Sequence, residues 1–160
     1  FCVHAGENDK NPNNVKDALR FAKKMADQGN AITLRIGHGV YGMDEEALDL
    51  AEELSRMEPP RVIFELNPES NIALNNIMEP RDLMPMVREF MRRNIMFVPG
   101  SDSYGQYQTD HMQLAQTFID MGFGEREFTM MKLHQQDLLA RIEAKTRADE
   151  ARIANWGTEE

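Results

Sequence analysis

The chain contains 160 residues, of which 41% are hydrophobic and 28% are charged, a balance typical of one globular domain rather than a disordered protein. The formal net charge of −9 argues against a protein that coats nucleic acid, because neutralising phosphates requires a basic surface. No apolar run is long enough to span a membrane, and the single cysteine, Cys2, favours a reducing compartment such as the cytoplasm.

The first half of the chain alternates short apolar segments with helical patterns. Residues 1–3 and 31–36 are predicted to be strands. Between them, helical spacing predicts a first helix that ends at Gly29 and has one apolar face, made of Val15, Leu19, Ala22 and Met25. Asp44 is predicted to cap a second helix, whose apolar face is made of Leu48, Ala51 and Leu54.

The second half continues the alternation. Residues 61–66 and 95–98 are predicted strands, and a third helix lies between them with an apolar face made of Leu83, Val87, Phe90 and Met91. A fourth helix is predicted over residues 107–121, ending at Gly122. The remaining residues, from Glu125 onward, are also helical in pattern and become increasingly polar, as expected of a solvated C-terminal helix.

The spacing of the predicted strands indicates a repeated βα unit. With Phe1, Ile32, Val62 and Ile95 as anchors, the spacings are 31, 30 and 33 residues. A (β/α)8 barrel of roughly 250 residues averages about 31 residues per unit, so the four units match half of such a barrel. A doubly wound sheet has the same local period and is the alternative, although no GxGxxG motif follows any strand.

Polar residues follow each predicted strand, at the end where chemistry occurs in parallel α/β folds. The strand ends read "HAGE", "RIGHG", "ELNPESN" and "GSDS", which brings His4, Glu7, His38 and Asp102 to one edge of the sheet. The other two histidines, at 111 and 134, lie on predicted helices, and no functional role is assigned to them. Imidazole and carboxylate groups are good ligands for Zn²⁺, and a bound zinc lowers the pKa of its water toward about 7. The set therefore favours metal-assisted hydrolysis.

These four motifs, in this order and spacing, resemble those of the adenosine deaminase family of metal-dependent hydrolases. The resemblance implies a TIM-type (β/α)8 barrel in which the motifs end strands five to eight. The family's first strand carries an HxH pair that supplies two further zinc ligands, and no HxH occurs here. Residues 1–140 are thus expected to be the second half of a barrel that requires an N-terminal half as partner, and residues 141–160 a helical tail.

The resemblance also implies roles for individual residues. His4 and Asp102 would be zinc ligands. Glu7 would donate a proton to the purine ring nitrogen next to the attacked carbon, and His38 would orient the hydrolytic water. Gly6, between His4 and Glu7, is assigned to substrate binding.

Several positions depart from the family pattern. Ser103 stands where a second aspartate usually reads the purine, so it is assigned to substrate binding as a shorter, uncharged group. The usual "CPxSN" segment reads "NPESN", and a His-Pro pair reads Met84-Pro85. AMP deaminases of the family usually have cysteine where Ala5 stands, which favours a nucleoside substrate.

The resemblance implies zinc-dependent deamination of an aminopurine nucleoside or nucleotide, with release of ammonia. Two alternatives stay open: a divergent amidohydrolase with another leaving group, and a deaminase-like scaffold that binds purines or partners without turnover. Half a barrel would also leave open sheet edges and an uncovered apolar interior, so association, including homo-oligomerisation, is expected.

Overall fold

A computed structural model of the chain describes residues 1–7, 9–74, 79–100 and 111–155. Four short strands alternate with helices along the chain. The strands are β1 (Cys2–Ala5), β2 (Leu34–His38), β3 (Val62–Leu66) and β4 (Phe97–Pro99). The helices are α1 (Asn14–Asp27), α2 (Glu45–Ser55), α3 (Pro68–Ala73), α4 (Met84–Arg93), α5 (His111–Asp120) and α6 (Glu125–Asn155), and a 3₁₀ turn, Pro80–Leu83, precedes α4.

The four strands form one parallel sheet whose spatial order, β1-β2-β3-β4, is the order of the sequence. His4 pairs with Gly37 across the first two strands, and Phe64 pairs with Phe97 across the last two. Because all the strands run the same way, their carboxyl ends lie along one side of the sheet, here called the carboxyl edge. The predicted α/β class is confirmed.

The main core lies between one face of this sheet and the helices α1, α2 and α4. Alternate strand residues point into it, and the ring of Phe64 packs 4.7 Å from that of Phe90 on α4. All three helices contribute to this same buried cluster. A doubly wound sheet would place crossover helices on both faces and reverse its strand order. The described strands show no such reversal, which favours the arrangement of a barrel.

The predicted helix signals are found where the sequence places them. Val15, Leu19 and Ala22 are buried on α1, and Gly29 follows that helix with φ +78°. The carboxylate of Asp44 accepts a hydrogen bond from the Ala47 N–H at 3.1 Å, which caps α2. Local chemistry therefore sets the start of α2 and the end of α1. At the start of α2 the Asp44 side chain supplies an acceptor that the helix lacks, and after α1 Gly29 adopts the left-handed conformation.

Arg93 joins α2 to α4 through ion pairs. Its side chain is only 6% exposed, and its guanidinium contacts carboxylates of both helices: Glu45, Asp49, Glu52 and Glu89. Hydrogen bonds from Arg92, and to a lesser extent from Arg93, lower the pKa of Glu89 to about 2. The helices α2 and α4 are thus joined by one shared cation.

The opposite face of the sheet carries a smaller cluster of Ile63, Met96 and Val98, against which Leu138 of α6 packs. His134, to which the sequence assigned no functional role, fastens the same helix to β4. Its Nδ1 lies 3.2 Å from the backbone nitrogen and 3.1 Å from the carbonyl oxygen of Phe97. Burial lowers the pKa of His134 below its usual value.

The last helix, α6, is continuous from Glu125 to Asn155, so the predicted division at residue 140 falls inside a helix and stays a prediction. Beyond Leu138 its exposed surface combines the apolar side chains of Leu139, Ile142 and Ile153 with charged residues. Some of these charged residues form ion pairs one turn apart, such as Lys145–Asp149 at 2.6 Å. Among the helices that the structure describes, none has the length and apolar character needed to cross a bilayer.

Candidate metal and catalytic site

The first two strands bring His4 and His38 together at the carboxyl edge. Ala5 pairs with His38 in the parallel register, so the two histidines end adjacent strands. Nδ1 of His4 lies 3.2 Å from Nε2 of His38, and the two rings meet edge to face, with centroids 5.0 Å apart. His38 is fully buried, whereas His4 is exposed. The pair therefore has a fixed inner member and an outer member that solvent reaches.

Glu7 reaches the histidine pair through a sharp turn at Gly6. Gly6 has φ +75°, a conformation that residues with a Cβ rarely adopt. Its N–H donates to Oδ1 of Asn14 at 2.9 Å, and its carbonyl accepts hydrogen bonds from the backbone of Val40 and Tyr41. These bonds tie the end of β1 to the loop after β2. As a result, one ligand atom from each of His4, Glu7 and His38 lies within 4.8 Å of the others.

This donor set fits a divalent transition metal. Two imidazoles and a carboxylate are ligands that zinc prefers. Of the three residues, His4 is the predicted zinc ligand, and Nε2 of His38 lies within hydrogen-bond distance of its Nδ1, at 3.2 Å. The chemistry of the residues, rather than any one distance, makes this corner of the sheet a candidate metal centre.

A buried amide supports His38 from behind. Oδ1 of Asn71, on α3, lies 2.9 Å from Nδ1 of His38, and both side chains are fully buried. His38 itself has φ +72°, and Gly39, which follows it, has φ +61°. A Cβ at Gly39 would lie 2.8 Å from Cδ1 of Phe64. The backbone that leaves β2 is therefore in close contact with the ring of Phe64, a core residue. The glycines of "IGHG" thus let the backbone place the histidine in this tight turn.

The third and fourth strands close the carboxyl edge on its other side. Asn67, directly after β3, is buried beside Gly37. The N–H of Gly100 donates to the carbonyl of Leu66 at 2.9 Å, so the chain leaves β4 in contact with the end of β3. A Cβ at Gly100 would overlap the side chains of Glu65 and Asn67. The predicted ligand Asp102 and the predicted substrate contact Ser103 follow Gly100 and lie outside the described residues.

The structure therefore brings together three of the predicted site residues, His4, Glu7 and His38, and places Gly6 at the turn that joins two of them. Their roles stay predictions. Sequence reasoning missed Asn71 as a partner of His38, although the signal was present, because Asn71 is the last residue of the "NPESN" segment. Its importance appears only when α3 is folded against β2.

Comparison with known proteins identifies the family. A search of curated proteins finds no match. A protein-family model described as adenosine deaminase matches residues 1–142, which is most of the chain and includes all four strands. The match indicates a hydrolase of the deaminase and amidohydrolase type, generally metal-dependent, in agreement with the donor set at the carboxyl edge. The chain belongs to the adenosine deaminase family.

Proposed function

We propose that this chain contributes to zinc-dependent hydrolytic deamination of an aminopurine nucleoside or nucleotide. The observation that carries the proposal is the convergence of His4, Glu7 and His38 at the carboxyl edge of a parallel sheet, within a chain of the adenosine deaminase family. Nothing in the core packing requires two histidines and a carboxylate at this place. Their convergence supports chemistry performed on a bound molecule.

In the proposed reaction water adds to the purine carbon that carries the amino group, and ammonia leaves. His4 and Asp102 would hold the zinc, together with ligands from outside this chain. When bound, the zinc supplies Lewis-acid activation of the attacking water. His38 would orient that water, and Glu7 would protonate the adjacent ring nitrogen, which makes the ring carbon more electrophilic.

We further propose that β1 to β4 are strands five to eight of a complete barrel. The strand order without reversal and the placement of α1, α2 and α4 in one cluster support this arrangement. The opposite face of the sheet also carries apolar side chains, as expected of strands that are covered on both faces. On this proposal the isolated chain binds zinc poorly and is inactive, because the remaining ligands come from the other half.

A substrate panel tests the function. The complete protein is incubated with adenosine, AMP, ATP and other aminopurines, and the release of ammonia is measured together with the zinc content. We expect one aminopurine to be turned over only when zinc is present. Ammonia release from non-purine amines alone would favour the alternative, a divergent amidohydrolase, and metal binding without any turnover would favour a binding scaffold.

A substitution at Glu7 tests the assignment of roles. Glu7→Gln keeps the size of the side chain and a hydrogen-bond donor but cannot transfer a proton. General acid catalysis is typically worth about 10²–10⁴-fold, so turnover should fall by at least that range while zinc content stays unchanged. The matched control is Glu150→Gln, which makes the same change at an exposed position of α6. Loss of zinc with Glu7→Gln would instead make Glu7 a metal ligand, which the closeness of the three ligand atoms makes a real alternative.

A further inference from the structure

We propose that Asn71 is a positioning residue that fixes the ring orientation and the tautomer of His38. The contact that carries this inference is the 2.9 Å separation between Oδ1 of Asn71 and Nδ1 of His38, inside the protein. Neither residue has measurable solvent exposure, so water does not compete for this hydrogen bond. The inference rests on the proposed function only for its kinetic consequence.

Asn71 is itself held by the backbone around it. Its N–H donates to the carbonyl of Asn67 at 3.0 Å, in the first turn of α3. The Pro68 that opens this helix lies at a position where a fixed φ favours helix initiation. The same helix is braced from α5, where the hydroxyl of Thr117 donates to Oε1 of Glu69 at 2.8 Å. The amide is thus presented to His38 from a helix that is tied to α5 by a hydrogen bond.

An acceptor at this place selects one tautomer. A carbonyl oxygen accepts and cannot donate, so Nδ1 of His38 must carry the proton that joins the two groups. In the neutral ring, Nε2 is then the unprotonated nitrogen, and it is Nε2 that faces His4 across 3.2 Å. The lone pair of His38 is therefore directed toward the candidate metal and catalytic site. A histidine that orients a water molecule by accepting a hydrogen bond needs this tautomer.

The backbone makes such a support necessary. His38 has φ +72°, and for a residue with a Cβ this conformation costs free energy that the surroundings must offset. The preferred backbone conformation of a histidine does not match this turn, so it does not hold the His38 ring in place. The hydrogen bond to Asn71, 33 residues further along the chain, supplies that restraint.

The direct test is the protonation pattern of the His38 ring, measured by long-range ¹⁵N–¹H NMR on the complete protein labelled with ¹⁵N-histidine. The His38 signals are assigned by their loss in His38→Gln. We expect the Nδ1–H form in the unchanged protein and in Asn71→Asp, which keeps an acceptor oxygen. We expect Asn71→Leu, of similar size but without an acceptor, to lose the preference. Asn71→Ala serves as a second variant if the leucine variant does not fold.

Kinetics provide the second readout. Removing a residue that orients a functional histidine typically costs about 10–100-fold, so kcat should fall by that range in Asn71→Leu and Asn71→Ala. KM and zinc content should stay near their original values, and Asn71→Asp should recover most of kcat. The matched control, Thr146→Val, removes a side-chain hydrogen bond to the carbonyl of Ile142 within α6, away from α3 and His38, and should leave kcat unchanged.

Three results would overturn the inference: the Nε2–H form in the unchanged protein, an unchanged tautomer in Asn71→Leu and Asn71→Ala, or an unchanged kcat after the tautomer preference is lost. A protein that deaminates no substrate would refute the proposed function, but the NMR experiment would still decide the role of Asn71. The two proposals therefore fail by different observations.

Discussion

Gly6 occupies a tight turn at the candidate site, and replacing it with alanine should destabilise the protein through two separate effects. The first is conformational, because φ is +75°. The second is steric, because a Cβ at Gly6 would lie 2.8 Å from the carbonyl oxygen of Tyr41 and 2.9 Å from both the nitrogen of Val40 and Cγ2 of Val15. Two of these three atoms belong to the backbone, so they cannot move aside by a change of rotamer.

The chain provides a matched control for this substitution. Gly29 has nearly the same conformation, with φ +78°, and an added Cβ there would meet no atom within 4 Å. Gly29→Ala should therefore cost only the left-handed conformation, about 1–2 kcal/mol. Gly6→Ala should cost the same amount plus about 1–3 kcal/mol for overpacking, or roughly 2–5 kcal/mol of the free energy of unfolding in total.

Urea denaturation of the two variants, followed by circular dichroism, measures both terms. Each kcal/mol corresponds to about 2–4 °C in Tm for a protein of this size, so thermal melts should separate the variants clearly. If the two substitutions reduced the free energy of unfolding equally, the steric part of the reasoning would be refuted. An equal loss would mean that the turn at Gly6 opens without cost, and that the site does not depend on its close packing.

Three further predictions concern the metal and the pH dependence of stability. His4→Ala and Asp102→Asn in the complete protein should each remove most of the bound zinc, as measured by elemental analysis, whereas full occupancy in both would show that the site is misplaced. Burial lowers the pKa of His134, so the folded state binds fewer protons than the unfolded state just below pH 6.5. The free energy of unfolding should therefore fall as the pH drops through that region, and it should fall less in His134→Asn. Equal pH profiles of stability in the two proteins would contradict this prediction. Hydrogen bonds from Arg92, and to a lesser extent from Arg93, lower the pKa of Glu89 from 4.5 to about 2. The stability that these bonds give the folded protein should be complete above pH 4.5 and should be lost as the pH falls from there toward 2. In an acid titration of stability, this loss should be smaller in Glu89→Gln.

Much of the fold follows from local signals. The apolar faces of α1 and α2 and the cap at Asp44 depend on residues within a turn or two of each other, so the sequence alone reveals them. The meeting of His4 and His38 was also predictable, because parallel strands with regular spacing end at one edge. For the two histidines, the regular spacing of the strands both marks the pattern in the sequence and brings the strand ends together in the structure.

The features that were missed depend on contacts between distant segments. Asn71 belongs to a short helix, Pro68–Ala73, that no apolar period marks, and its contact with His38 needs α3 to fold back over β2. His134 lies on a helix whose pattern resembles any amphipathic surface, and only its position over the backbone of Phe97 makes it structural. The strand β4, Phe97–Pro99, begins two residues later than the predicted strand over residues 95–98. Ile95 and Met96 are nevertheless buried, and the carbonyl of Met96 accepts a hydrogen bond from the Phe64 N–H at 2.9 Å.

The order of the strands in the sheet has a consequence for how the chain folds. Every strand pairs with the one that precedes it in sequence, so each pairing closes a loop of only about thirty residues. The entropy lost on closing such a loop is modest and is nearly the same for each successive pairing. During synthesis each new strand can therefore add to a preceding strand that has already left the ribosome, without waiting for a distant partner. The sheet that assembles the candidate site can therefore form in the direction of translation, from the strand of His4 toward the strand that leads to Asp102.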